Sequence, residues 1–147
     1  MSEHPAAAAM ERVRRVCDLA LQLTAGTACA AQVDSVRARL DGALRVALAG
    51  RVKAGKSTLL NALVGERLAP TDAGECTKVV TWYQHGVGYD VVAIDRDGST
   101  TAVPFRRIDG ALVFDIGSLD LDHVQRLVVS WPSSALRNLT LIDTPGL

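Results

Sequence analysis

Eight residues limit the possible folds of this chain more than any others: Gly50-Arg51-Val52-Lys53-Ala54-Gly55-Lys56-Ser57 fit the pattern G-x-x-x-x-G-K-S/T. Before them, Leu44-Arg45-Val46-Ala47-Leu48-Ala49 is an apolar run that predicts a buried parallel strand. After them, residues 57–64 predict a helix, with Gly65 as its stop. A strand, a glycine-rich loop and a helix N-terminus in that order make a site for phosphate. Polyphosphate charge has to be met by many donors at short range. Gly50 and Gly55 let backbone N–H groups turn inward with no Cβ in the way. The expected binding set is Gly50, Lys53, Ala54, Gly55, Lys56, Ser57 and Thr58. Lys56 is expected to place its ammonium on the β- and γ-phosphates, and Ser57 to ligate Mg²⁺.

Composition removes several alternatives. At 147 residues the chain is long enough for one domain with a substantial core. Lys and Arg together number 16, as do Asp and Glu, so neither a basic nucleic-acid-binding face nor a polybasic membrane patch is expected. No run approaches the roughly 18 apolar residues of a transmembrane helix. The start, Met1-Ser2-Glu3-His4-Pro5 and four alanines, has neither the basic nor the long apolar region of a signal peptide. Cys17, Cys29 and Cys76 are scattered without C-x-x-C spacing, and predict reduced thiols and a cytoplasmic setting. His4, His85 and His123 have no ligand spacing and are assigned no chemistry.

Residues 1–43 read as a helical segment. Val13, Val16, Cys17, Ala20 and Leu23 recur at helical spacing on one stripe, and Thr24-Ala25-Gly26-Thr27 breaks the pattern. A second helix is predicted over 29–40, with Val33, Val36 and Leu40 on one side. This pair packs either on the nucleotide domain or in a bundle completed by other sequence. Residues 44–147 read as the nucleotide domain. Residues 66–78 predict a mobile loop, and strands are predicted at 79–84, 89–95, 100–105, 127–131 and 139–142. Asp97-Gly98 predicts a hairpin turn. Over 105–121 a short helix or irregular excursion is expected.

The apolar run Leu139-Thr140-Leu141-Ile142 leads into Asp143-Thr144-Pro145-Gly146. If that strand lies parallel beside the one at 44–49, both C-terminal ends meet at one sheet edge. Asp143 then holds the Mg²⁺, and the Gly146 N–H lies where a γ-phosphate is sensed. Between the two strands Thr77 is the candidate to complete the metal shell and hold the attacking water from a loop that orders with the γ-phosphate. Thr71 and Thr81 compete for that role.

In their order along the chain, the phosphate loop, the loop threonine and D-x-x-G resemble the first three sequence elements of the TRAFAC-class GTPases. Within that class the chain resembles the dynamin family, in particular bacterial dynamin-like proteins of the actinobacterial isoniazid-inducible type. The resemblance rests on residues 50–63, on Leu68-Ala69-Pro70-Thr71-Asp72-Ala73-Gly74-Glu75-Cys76-Thr77-Lys78, and on residues 132–147. A long insert with an extra hairpin and the preceding helices favour dynamin-like over Era-like or Ras-like proteins.

This resemblance implies an α/β, mixed-sheet P-loop fold preceded by helices, of which the chain carries the N-terminal portion. It implies GTP and GDP as ligands with Mg²⁺, GTP hydrolysis, and membrane remodelling by a dimer or larger assembly. Membrane lipid would be met through regions absent here, at the inner face of the cell membrane, with no nucleic-acid partner. The alternatives are an Era-like GTPase of ribosome or RNA maturation and a nucleotide-binding scaffold without turnover.

Two departures stand out. Leu147 occupies the position where Ras-like enzymes carry a water-orienting Gln, an absence dynamin-like enzymes share. Lys53 stands where many relatives have a smaller polar residue; it is read either as a cationic catalytic group, in the manner of an arginine finger from the same chain, or as a solvated lysine. No Asn/Thr-Lys-x-Asp follows D-x-x-G, so base preference rests on the resemblance. One side of the strand at 45–49 is expected to be an uncovered apolar edge, so the segment alone is expected to be unstable or to aggregate, and to hydrolyse little.

Overall fold

The computed structural model of the chain describes residues 5–69, 79–108, 111–117 and 119–146. It divides into two compact units, Met1–Gly42 and Ala43–Leu147.

The first unit is a helical hairpin of α1 (Pro5–Leu23) and α2 (Ala28–Asp41). The turn between them forms because Thr24 donates its hydroxyl back to the Ala20 carbonyl at 2.8 Å and Thr27 donates to the Thr24 carbonyl at 2.7 Å. Arg37 ties the helices together by pairing with Asp18 at 2.8 Å and with Asp41, which also accepts from Arg14 at 3.0 Å. Of the expected apolar stripe on α1, Cys17 is buried and Ala20 half-buried, whereas Val13, Val16 and Leu23 are exposed. A second helix with few large apolar residues covers only a narrow strip of the first.

The second unit begins with β1 (Leu44–Leu48), then α3 (Lys56–Val64), and continues through β2 (Thr81–His85), β3 (Asp90–Asp95), β4 (Thr100–Ala102), β5 (Phe105–Ile108), β6 (Ala111–Phe114), β7 (Val124–Trp131) and β8 (Leu139–Asp143). Six strands make one mixed sheet in the order β1-β8-β2-β7-β3-β4. β1 runs parallel to β8, β8 antiparallel to β2, and β2 parallel to β7. This is the α/β mixed sheet expected from the sequence. Leu60 and Val64 of α3 join Tyr83, Val91, Leu127, Val129 and Leu141 in a core on one face of it. Side chains alternate along a strand, so Asp143 lies on the same side of β8 as Leu141 and Leu139, the side that packs with α3.

Three expectations are corrected. β1 is parallel and open on one side, as expected, but none of its residues is buried; Leu44 keeps 68% exposure. Its apolar run suits a strand with two neighbours, and here it has one. The excursion expected over 105–121 is a two-stranded ribbon, β5 with β6, pairing Phe105 with Phe114. It is fastened through Trp131, whose ring has Phe105 at 6.3 Å and the Arg107 guanidinium at 4.8 Å. Finally, the first part of the loop predicted at 66–78 is packed: Leu68 and Ala69 are buried. The hairpin at Asp97-Gly98 forms as expected, with Gly98 at φ +88° and the Ser99 N–H donating to the Asp97 carboxylate at 2.9 Å.

Candidate functional site

The site is built where β1 and β8 end together. Their parallel register runs from Leu44 opposite Leu139 to Leu48 opposite Asp143. After Leu48 the chain turns through residues 50–55 into α3, whose first residues are Lys56 and Ser57. Gly55, at φ +83°, adopts the left-handed conformation that turns the loop into the helix, where a side chain would be strained. α3 ends at Gly65, as predicted, with the Gly65 N–H returned to the Asn61 carbonyl.

Ser57 donates its hydroxyl to Asp143 Oδ2 at 3.4 Å, joining residues 86 positions apart. Lys56 folds its ammonium over the loop and donates to the carbonyls of Gly50 at 3.1 Å and Arg51 at 3.2 Å. Asp143 is buried, and its Oδ1 has no hydrogen-bond partner. Burial pushes the carboxyl above its ordinary pKa, while the Lys56 charge and the Ser57 hydroxyl pull it partly back. A buried acceptor left open beside a hydroxyl is the kind of place a hard cation with oxygen ligands fits. The described residues hold no group of three His, Cys, Asp or Glu suited to a metal. The one carboxylate and one hydroxyl that meet here would leave a cation to take its other ligands from phosphate and water, as Mg²⁺ commonly does.

Lys53 is exposed at the loop and, among the described residues, is the non-glycine residue with positive φ, 62°. A lysine held there costs roughly 1 kcal/mol, a strain that collects at binding loops. Gly146 lies against the same loop. A Cβ at that position would sit 2.7 Å from Val52 Cγ2 and 2.9 Å from the Val52 backbone nitrogen.

The structure thus brings together Gly50, Lys53, Ala54, Gly55, Lys56, Ser57 and Thr58 in one loop and helix start, with Asp143 and Gly146 beside them. Thr77, Thr71 and Leu147 lie outside the described residues. Thr81 is a buried strand residue opposite Asp143, its hydroxyl donated to the Val79 carbonyl at 3.3 Å, so it is not delivered by a loop.

Sequence reasoning passed over two contacts. The Asn61 side chain accepts from the Ala69 N–H at 2.7 Å and donates to the Ala69 carbonyl at 2.9 Å, tying the chain after α3 back onto that helix. An asparagine one turn after Ser57, in a helix of good helix formers, was the available signal. Thr144 donates its hydroxyl to the Leu48 carbonyl at 2.8 Å; nothing in the sequence shows which carbonyl ends up near it.

The family model described as "Dynamin family" matches residues 46–147. The isoniazid-induced protein IniC of Mycobacterium tuberculosis is 49% identical over 115 residues, which are 78% of this chain and 23% of that protein. A bacterial dynamin-like protein of Nostoc punctiforme is 32% identical over 120 residues, covering 72% of this chain and 17% of its own. The chain therefore spans less than a quarter of the length of these curated relatives. Among solved structures, one described as an oligomerised bacterial dynamin pair that provides a mechanism for long-range sensing and tethering of membranes superposes with a TM-score of 0.58. It does so at 22% identity, over 92% of this chain and 22% of that one, a likeness of fold.

Proposed function

Because the chain belongs to the dynamin family, whose members are in general GTPases, we propose that it forms the phosphate- and metal-binding part of a GTP-hydrolysing site. The observation that carries this reading is the register placing Asp143 opposite Leu48, with the Ser57 hydroxyl 3.4 Å from the carboxylate. In it, Gly50, Lys53, Ala54, Gly55, Lys56, Ser57 and Thr58 cradle the α-, β- and γ-phosphates of GTP. Lys56 balances charge on the β–γ bridge, and Gly146 meets the γ-phosphate by its backbone N–H.

Ser57, Asp143 and Thr77 would hold Mg²⁺, Asp143 by way of water. When bound, that ion draws charge from the phosphate oxygens and orients them. Thr77 holds the attacking water. Its oxygen bonds to the γ-phosphorus as the bond to the bridging oxygen breaks, leaving GDP and phosphate, which takes up the water's proton. With leucine at 147 there is no side chain at that position to orient water. Lys53 is proposed to supply the cationic stabilisation instead.

In the whole protein the cycle is proposed to drive membrane remodelling by a dimer or larger assembly at the inner face of the cell membrane. This is supported by family membership and by the tethering described for the structural neighbour. No helix among the described residues is long and apolar enough to cross a membrane.

Fluorescent GDP, competed separately by GTP and ATP with and without Mg²⁺, tests the reading. Expected are competition by GTP, weak competition by ATP, and a loss of at least about tenfold in affinity for Lys56→Ala. Equal affinity of wild type and Lys56→Ala would reject the phosphate site. Lys53→Ala is expected to lower turnover by about tenfold with affinity little changed; unaltered turnover would return Lys53 to solvent.

A further inference from the structure

Resting on the GTPase reading, a contact at the end of the β1–β8 ladder has a task of its own. Backbone pairing between these strands stops at Leu48 and Asp143. Beyond it the two chains part, one into the phosphate loop, the other into Thr144-Pro145-Gly146. Pro145 has no N–H, so it cannot donate to a further rung. The Thr144 hydroxyl reaches across to the Leu48 carbonyl at 2.8 Å, a side-chain rung where the backbone ladder ends. On the other side of Pro145, Gly146 lies against the Val52 backbone, so the segment after β8 is seated at two points, the end of β1 and the phosphate loop. The residue of the last backbone rung, directly before the hydroxyl rung, carries the open buried oxygen, Asp143 Oδ1. Its other oxygen is 3.4 Å from Ser57, a long contact with slack to be set by how the strand ends are held.

We propose that Thr144 is a positioning residue for the metal site: its hydroxyl clamps the end of β8 to β1 and sets the separation of Asp143 from Ser57. A hydroxyl in this role acts on the carboxylate through the backbone and touches neither metal nor phosphate. Its removal therefore weakens Mg²⁺ binding while leaving the metal-free phosphate cradle in place.

The test is fluorescent GDP binding to the full-length protein over a Mg²⁺ titration, with Thr144→Val, which keeps the shape, and Thr144→Ser, which keeps the hydroxyl. Thr144→Val is expected to raise the Mg²⁺ concentration for half-maximal effect about tenfold, the usual scale for groups that orient metal ligands. Its affinity for GDP in EDTA should stay within about twofold of wild type, and Thr144→Ser should follow wild type throughout. A Thr144→Val protein that melts earlier but keeps the wild-type Mg²⁺ half-point would reduce the contact to a structural one and overturn the proposal. A shifted half-point in Thr144→Ser also overturns it, and that variant decides the matter if Thr144→Val does not fold. Wild-type protein that binds no GDP would instead bring down the GTPase reading, and this proposal with it.

Discussion

Asp143 sets a stability against a function at a single residue. Burial raises its pKa, so between the ordinary carboxylate pKa and the raised one the folded chain binds more protons than the unfolded chain. Stability of the nucleotide-free protein therefore falls as pH climbs through that window and levels off above it. Asp143→Asn removes the fall. It is expected to stabilise the nucleotide-free protein by about 1 kcal/mol at neutral pH, because an amide is cheaper to bury than an open charge. The same change should abolish the Mg²⁺ dependence of nucleotide binding. Denaturant titrations at mildly acidic and neutral pH check the first part; a destabilised variant at neutral pH would show that another group already compensates the charge. Gly146→Ala carries a steric prediction: its Cβ would land 2.7 Å from Val52, so the phosphate loop must move and GDP affinity must drop.

At the scale of elements, α3 anchors the chain that leaves it, and Asn61 is the anchor. Its carboxamide satisfies both backbone groups of Ala69, which is 1% exposed. Asn61→Ala strands both groups and is expected to cost about 2 kcal/mol in chemical denaturation. A loss under about half a kcal/mol would mean that solvent reaches them. In the helical hairpin, hydrogen bonds from Arg37 and Arg14 hold the Asp41 carboxyl below its ordinary pKa. That contribution is present above the ordinary carboxylate pKa and is lost as pH falls through the depressed one. The ribbon of β5 and β6 escaped sequence reasoning because its strands are short and lack clear alternation. What holds it is burial of Leu112 and Phe114 in the core, together with the ring of Trp131 from a different strand.

At the scale of the molecule, the open edge of β1 is the liability. The strand has a neighbour on one side only and begins with a leucine that is 68% exposed, a template for pairing with another chain. This 147-residue chain is expected to associate as its concentration rises, and Leu44→Lys to suppress that association, as read by light scattering and size-exclusion chromatography. Identical concentration-independent profiles for both proteins would clear the edge of blame. The phosphate loop, the strand before it, the helix after it and the acid at 143 are all legible in the sequence, because each is a local pattern: spacing of glycines, apolar runs and a charge at a strand end. The α/β class comes from their order. Contacts that no motif links are not legible there: Thr144 on Leu48, Asn61 on Ala69. Sequence by itself determined which groups were available for phosphate and metal. Which of them meet was decided by strand order and register, since a parallel pair joins residues nearly a hundred positions apart that no local preference links.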